Sequence, residues 1–232
     1  MKCALVISAH PDDETLGLGG TLALLATNGW AVKPIIVAGH AIVRHGSSSE
    51  ADERMRNCCR KACVTLGIEP PAFLNLPNQR LDTLSQVDIN RALEDIIQTL
   101  QPHTVFTHFH GDINRDHQIL YESTMVATRP KPGCCVRRVL VYTAPSSTDW
   151  IPFTTGRVFT PNWYVDIESV VDIKLAALSC YPTETPPPPH PRSLTMMEHH
   201  MAVVGSKVGY KFAEEFMLIR NLDGFLEGGR DD

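Results

Sequence analysis

Short apolar segments alternate with longer helical segments over the first 145 residues, and this alternation restricts the fold more than any other feature of the chain. The apolar segments are residues 3–8, 32–38, 72–76, 104–107 and 136–143. The helical patterns are residues 14–28, about 49–66, 87–100 and 116–128. Parallel strands need a crossover that is usually a helix, so this order indicates a mostly parallel sheet. The sequence therefore predicts an α/β fold, a Rossmann-like three-layer sandwich with helices on both faces of the sheet.

Two polar segments rich in histidine and aspartate follow the first and fourth apolar segments. His10–Glu14 (His-Pro-Asp-Asp-Glu) opens the first helix, and Asp112–His117 (Asp-Ile-Asn-Arg-Asp-His) opens the fourth. Histidine and carboxylate side chains so close together suit a divalent metal. Taken singly, each segment is equally well explained by an aspartate that caps a helix beside a loop histidine.

Topology favours the metal interpretation. In a doubly wound sheet of order 3-2-1-4-5, strands one and four are neighbours at the switch point. The loops that follow their carboxyl ends converge on the ligand crevice. We therefore expect His10–Glu14 and Asp112–His117 to meet in space, although about 100 residues separate them in the chain.

The motif Ala9–Glu14 resembles the signature of the PIG-L/LmbE family of zinc de-N-acetylases. That family pairs the motif with a later Asp-His, which Asp116 and His117 match here. Similarity continues in the family's order, ends near Arg220 and covers nearly the whole chain. The further matching segments are residues 161–167, 174–178, 189–193 and 213–216.

The resemblance implies a single de-N-acetylase domain over residues 1–232. We expect a core at residues 1–145 and a C-terminal part, residues 146–227, that completes the crevice wall. The proline-rich segment 185–192 can be neither helix nor central strand. Because periodic sequence resumes over residues 194–219, a rigid wall is favoured over a linker.

The resemblance also implies a role for each matching residue. His10, Asp13 and His117 would bind Zn²⁺ and leave one position open for water. Asp12 would be the general base and would later return its proton to the leaving amine. Asn114 stands where many family members have a histidine that stabilises the oxyanion. Since an amide donates a hydrogen bond but carries no charge, we expect Asn114 to keep a share of that role.

Other polar side chains near these segments allow two interpretations. Asp116 either orients a metal-binding side chain or only caps a helix. His108 and His110 are more simply interpreted as loop histidines without a catalytic role.

Substrate contacts are expected from basic residues that border the crevice. Arg44, His45 and Arg54 follow the second strand, and Arg192 follows the proline run. An arginine there would suit hydroxyl groups or a phosphate. For each of these residues taken singly, a solvated charge is the alternative.

Composition and charge restrict the classes of partner that this protein could bind. The net charge of −5, without a basic run, argues against nucleic acid as a partner. No apolar stretch is long enough to span a membrane. Seven cysteines without a Cys-x-x-Cys pattern indicate free thiols in a reducing compartment, so we expect a cytoplasmic protein. The oligomeric state is open, and a homo-oligomer is compatible with the sequence.

Three functions remain open. The first is a zinc amidase that acts on an N-acetylated sugar or sugar conjugate. The second is an amidase of another N-acyl small molecule or of a thiol–sugar conjugate. The third is a non-catalytic sugar- or nucleotide-binding protein, but Gly17–Gly20 matches a dinucleotide fingerprint poorly and lies inside the predicted helix. The complete set of metal-binding and base residues favours an enzyme.

Overall fold

The computed structural model describes residues 1–39, 49–152 and 156–222 and shows a seven-stranded sheet with helices on both faces. The strands are β1 (Cys3–Ser8), β2 (Ala31–Ala38), β3 (Ala72–Leu76), β4 (Thr104–His108), β5 (Arg138–Tyr142), β6 (Trp163–Asp166) and β7 (Ala213–Asn221). The helices are α1 (Asp13–Thr27), α2 (Ser49–Leu66), α3 (Gln86–Leu100), α4 (Arg115–Ala127), α5 (Val171–Leu178) and α6 (Leu194–Ser206). Single turns of 3-10 helix lie at Leu81–Thr83 and Glu168–Val170.

The strand order in the sheet is β3-β2-β1-β4-β5-β7-β6. Strands β1 to β5 pair in parallel, whereas β7 pairs antiparallel with both β5 and β6. The predicted order of the first five strands and the predicted fold class are confirmed. The periodic segment 194–219 divides into α6 and β7, and β6 has no counterpart in the predicted elements. Burial does not alternate along β7, so its sequence lacks the period of two that marks a half-exposed strand.

The sheet separates two apolar cores. Ala4 and Val6 of β1 face the core that contains side chains of α1, α2 and α5. Leu5 and Ile7 face the opposite core, which contains side chains of α3 and α4. Successive side chains of a strand point to opposite faces, so a strand buried on both sides is apolar throughout. None of the helices in the described ranges has the length and apolar character to cross a bilayer.

Helix α1 packs closely against the sheet. A Cβ atom on Gly17 would lie 2.3 Å from the ring of Tyr142, and one on Gly20 would lie 2.9 Å from Ile167. Any side chain at Gly17 would therefore push α1 away from β5. Close packing of α1 on the sheet explains both glycines.

Helix α1 is interrupted at Leu18, whose φ of −147° and ψ of 18° are not helical. A buried ion pair spans the interruption. Lys174 Nζ donates to the Leu16 carbonyl at 3.0 Å and to Glu214 Oε1 at 2.6 Å. The Glu214 carboxylate accepts from the backbone N–H groups of residues 20 and 21 at 2.9 and 2.7 Å. The pair thus satisfies backbone groups near the break that would otherwise lack partners in the core.

Candidate metal centre and its cavity

The turn that follows β1 is folded by its own side chains. The backbone N–H of His10 donates to Asp13 Oδ2 at 2.9 Å, and that of Asp12 donates to Glu14 Oε2 at 3.1 Å. Glu14 is buried and also accepts from the hydroxyl of Tyr181 at 2.6 Å. Asp12 has a φ of 125°, which an L-amino acid rarely adopts, so these contacts hold a strained turn.

The turns after β1 and β4 meet at the switch point, because β1 lies between β2 and β4. Three atoms converge there, namely Nδ1 of His10, Oδ2 of Asp13 and Nε2 of His117. The Asp13 oxygen lies 3.4 Å from the His10 nitrogen and 3.3 Å from the His117 nitrogen. The two nitrogens are 3.4 Å apart. The side chains form a buried group that could hold a metal ion.

The dimensions of this triangle test which ion fits. Bonds of about 2.0–2.1 Å at tetrahedral angles place neighbouring ligand atoms about 3.3–3.4 Å apart. The three observed separations, 3.4, 3.3 and 3.4 Å, match that value. The spacing of the three atoms is therefore compatible with a tetrahedral Zn²⁺ ion.

Asp116 orients His10. Its Oδ2 lies 3.1 Å from His10 Nε2, the ring nitrogen that faces away from the triangle. The Asp116 carboxylate is itself fixed by the backbone N–H groups of Gln79 and Leu81, at 2.7 and 3.1 Å. The side chain that caps α4 is instead Asn114, whose Oδ1 accepts from the backbone N–H of Asp116 at 2.9 Å. Asp116 thus contacts His10 from outside the triangle, while the cap of α4 is formed by Asn114.

Asp112, which the sequence motif did not single out, makes the corresponding contact with His117. Asp112 Oδ2 lies 3.2 Å from His117 Nδ1 and accepts from Thr148 Oγ1 at 2.7 Å. Its other oxygen accepts from Ser147 Oγ and from the backbone N–H of Asn114. A histidine that binds a metal usually donates its second nitrogen to such a carboxylate. The sequence signal was its place at the start of the segment that contains His117.

The charges of the cluster favour a cation. Burial opposes a charged imidazole, but the carboxylates of Asp13 and Asp112 raise the pKa of His117 to about 10. Burial also opposes ionisation of Asp13, yet the charge of His117 and the neighbouring histidines hold the pKa of Asp13 well below its usual range. The two buried carboxylates thus hold a positive charge on His117 in the cluster. A divalent cation would displace the His117 proton there.

His108 packs against this cluster and contacts both of its turns. It is buried at the end of β4, so its interpretation as a loop residue was wrong, while His110 does lie in the turn beyond. His108 Nε2 accepts from the backbone N–H of Ala9 at 2.9 Å, and its ring stacks on His117 with centroids 3.8 Å apart. Burial, assisted by the charge of His117, lowers the pKa of His108 to about 3. His108 is therefore a neutral hydrogen-bond acceptor for the turn that carries His10 and Asp13.

Asp12 is paired with an arginine. Its Oδ2 accepts from Arg192 Nη1 at 3.0 Å, and its side chain lines the cavity beside the three ligands. Burial raises the pKa of Asp12 well above its usual range, although the charge of Arg192 opposes the shift. Arg192 also lines the cavity, as expected, but its guanidinium contacts Asp12.

The three candidate ligand atoms open into a cavity of about 640 Å³. Most of the side chains that line it are polar, and the lining residue Trp150 is 59% exposed. Beyond the ligands, the lining includes Asn78, Gln79, Asn114, Ser147, Trp150 and Glu184. Among the described residues that line this cavity, Arg54 is absent. Its side chain is exposed on α2, where Nη1 lies 4.0 Å from Glu50 Oε2. Arg44 and His45 lie outside the described residues.

Comparison with known proteins gives a family and a relative. The sequence model of the family described as PIG-L, GlcNAc-PI de-N-acetylase, matches residues 5–128, which is more than half of the chain. The uncharacterized deacetylase YaiS of Escherichia coli (strain K12) is 32% identical over 183 residues. That alignment covers 76% of this chain and 89% of YaiS.

Solved structures with the same fold include enzymes that catalyse different reactions. The N,N'-diacetylchitobiose deacetylase of Pyrococcus horikoshii superposes with a TM-score of 0.77 at 20% identity, covering 94% of this chain and 84% of that one. GalB, the 4-carboxy-2-hydroxymuconate hydratase of Pseudomonas putida KT2440, has a TM-score of 0.72 at 23% identity, covering 94% and 96%. These two likenesses show the fold alone.

The reaction family instead follows from sequence. The matched residues 5–128 include the turns after β1 and β4, and therefore His10, Asp13 and His117. The resemblance seen in the sequence is thereby confirmed. This chain belongs to the PIG-L family of de-N-acetylases.

Proposed function

We propose that this protein is a Zn²⁺-dependent hydrolase that removes an acetyl group from the nitrogen of an N-acetylated sugar or sugar conjugate. The observation that carries the proposal is the triangle of ligand atoms, with sides of 3.3–3.4 Å, next to the carboxylate of Asp12. All four groups face one cavity, in which a substrate amide could reach them.

The donor set favours zinc over magnesium. Octahedral bonds of about 2.0–2.1 Å would bring neighbouring ligand atoms to about 2.9 Å, shorter than the observed sides. Imidazole nitrogen suits zinc, whereas magnesium prefers oxygen and water. Two histidines and one carboxylate form a known catalytic zinc set with one position left open. When bound, the ion would acidify a water molecule and polarise the amide carbonyl.

Asp12 is the proposed general base. Arg192 occupies its Oδ2, so Oδ1 is the oxygen that would take a proton from the attacking water. As the C–N bond breaks, Asp12 would return that proton to the nitrogen of the leaving amine. The products are acetate and the free amine, and the carboxylate of Asp12 is regenerated.

Asn114 is the proposed donor to the developing oxyanion. Its Oδ1 is occupied as the cap of α4, which fixes the orientation of the side-chain amide. The Nδ2 group is therefore the donor that remains, and Asn114 lines the cavity. A neutral amide can serve here because a preorganised hydrogen bond stabilises the oxyanion without carrying a proton.

The cavity supports a sugar as the substrate. At about 640 Å³ it is much larger than an acetamide group needs. Its polar side chains can exchange hydrogen bonds with hydroxyl groups, while the exposed indole of Trp150 offers an apolar face to a sugar ring. The similar protein from Pyrococcus horikoshii is named for a substrate of this class, diacetylchitobiose.

The test combines metal content with release of free amine. Purified protein is assayed on N-acetylglucosamine, diacetylchitobiose and several N-acetylated amino acids and thiols, before and after chelation and after return of Zn²⁺. About one zinc per chain with chelator-sensitive release from the sugars alone supports the proposal. Release only from other N-acyl compounds favours the second hypothesis from the sequence, an amidase of different specificity.

The control is Asp12→Asn, which keeps the shape of the side chain but removes the base. It should bind zinc as the wild type does and release almost no amine. Absence of amine release from every N-acyl compound with the zinc-loaded wild type would overturn the proposal. Hydration of an unsaturated acid by that protein would then indicate a reaction like that of GalB.

A further inference from the structure

We propose that Arg192 is a positioning residue that fixes the carboxylate of Asp12, not a residue that binds substrate. The description of Asp12 as the base rests on the proposed function. The contact itself does not, because it is a feature of the fold. This assignment replaces the expectation from the sequence that Arg192 would bind hydroxyl groups or a phosphate.

The guanidinium of Arg192 is anchored on more than one edge. Nη1 donates to Asp12 Oδ2 at 3.0 Å, and Nε donates at 3.0 Å to both the carbonyl of Pro145 and Oγ of Ser146. The carboxylate of Glu184 lies 3.6 Å from Nη1. Because the guanidinium is planar and rigid, these partners together fix its plane. The Arg192 side chain is only 17% exposed, which leaves little of it to meet a substrate.

The backbone that carries Arg192 is equally fixed. The N–H of Arg192 donates to His190 Nδ1 at 3.1 Å. The next residue, Ser193, caps α6 through its side chain, which accepts from the backbone N–H of Met196 at 3.2 Å. Arg192 therefore lies in the turn directly before the N-cap of α6, and hydrogen bonds fix the backbone on both sides of it. A side chain on a fixed backbone holds the geometry of a site better than one on an unconstrained loop.

Asp12 needs such a partner. It is buried beside two further carboxylates, Asp13 and Glu14, in a turn with an unfavourable φ. Glu14 holds its backbone N–H, and Arg192 holds its side chain. These two contacts orient the carboxylate so that one oxygen remains for the water. Without Arg192, neither the direction of that oxygen nor the balance of charge in the turn is maintained.

The kinetic test compares Arg192→Gln with Arg192→Lys. Since a displacement of about 1 Å can cost roughly 10²-fold in rate, we expect kcat of Arg192→Gln to fall by about that factor while KM stays within about twofold. Arg192→Lys keeps the positive charge but lacks the planar set of donors of a guanidinium, so its kcat should fall less than that of Arg192→Gln. Guanidinium added to Arg192→Ala should restore part of kcat. The control is Arg129→Gln, an exposed arginine paired with Glu94 on the surface, which should behave as wild type.

The outcomes separate positioning from substrate binding and from misfolding. Zinc content and the melting temperature of each variant show whether it is folded and loaded. A rise in KM with little change in kcat would mean that Arg192 binds substrate, which overturns the inference. Guanidinium rescue of kcat supports it, because a merely structural defect is not repaired by an added cation.

A crystal structure of Arg192→Gln decides the point without any assay. We expect the carboxylate of Asp12 to rotate away from its wild-type position while His10, Asp13 and His117 keep theirs. An unmoved Asp12 would overturn the inference. If the wild-type protein releases no amine, the proposed function fails, and this structural comparison still decides what Arg192 does.

Discussion

Two buried polar clusters lie along α1, and they are built on opposite principles. In the middle of the helix, Lys174 and Glu214, each about 2% exposed at the side chain, meet each other and the backbone groups near the break at Leu18. At the start of the helix, the ligand atoms of His10, Asp13 and His117 face one another at 3.3–3.4 Å. The first cluster is neutralised within the chain. The second brings together three side chains that could hold a cation.

The charge-paired cluster is expected to matter for the stability of the fold, and the cluster of His10, Asp13 and His117 for function. A compensated buried pair contributes to the fold, and removal of one partner leaves an unpaired charge in the core. The side chains of the second cluster are instead held in place by neighbouring residues. Asp112 contacts His117, Asp116 contacts His10, and His108 accepts from the backbone N–H of Ala9. We therefore expect mutations in the two clusters to have different consequences.

The largest effect is expected from Asp13→Ala, which removes one corner of the triangle. Metal content should fall to near zero and amine release to background, because two histidines alone are a poor zinc site. Chelation of the wild type should give the same loss, reversible by Zn²⁺. Metal analysis and the amine assay check this, with the exposed Asp95→Asn as the control. Retention of one zinc per chain by Asp13→Ala would refute the assignment of the cluster.

Asp12→Asn should be the next most severe, with kcat lower by roughly 10²–10⁴-fold, the range for loss of general acid–base catalysis. Zinc content should not change, because Asp12 is not among the three ligands. Steady-state kinetics with metal analysis measures both quantities. Near-normal kcat would remove Asp12 from the mechanism while leaving the metal centre intact.

Lys174→Met should lower the free energy of unfolding and leave the contacts among His10, Asp13 and His117 unchanged. Breaking a buried ion pair by removing one partner costs about 3–5 kcal/mol. The double variant Lys174→Met, Glu214→Leu should recover part of that loss, because it leaves no unpaired charge. Denaturant titration gives the free energies of unfolding. If the double variant were less stable than the single one, the hydrogen bonds of Glu214 to α1 would matter more than its charge pairing.

Asp116→Asn should have the smallest effect, a weakening of zinc affinity by about 10–100-fold. The amide keeps the shape but orients His10 less firmly, since it is no longer an anion beside Nε2. Competition with a chelator of known affinity measures the change. Asp112→Asn is the matched variant on His117, and similar losses in both would show that the two carboxylates act alike.

Much of this architecture could be predicted from local pattern. Strands buried on both faces are continuously apolar, and helices of the right length separate them, so the order of the first five strands followed from the sequence. The segments His10–Glu14 and Asp112–His117 were predicted to meet because both follow strands at the switch point. The three candidate ligands were nominated by the resemblance of these segments to the PIG-L/LmbE signature. Near the C-terminus the pattern was weaker, and β6 and β7 were not predicted.

The sequence by itself determined the strand order of the core and nominated the three residues that could hold the metal. Only the tertiary structure decided that Arg192 meets Asp12, that Asp112 meets His117 and that Glu214 reaches α1. Periodicity reports which face of an element is apolar, and motifs report what lies at the end of a strand. Neither specifies how the C-terminal segment packs back on α1. That packing chooses the partners of buried charges, because each charge in a core must find an opposite charge or a hydrogen bond wherever the fold provides one.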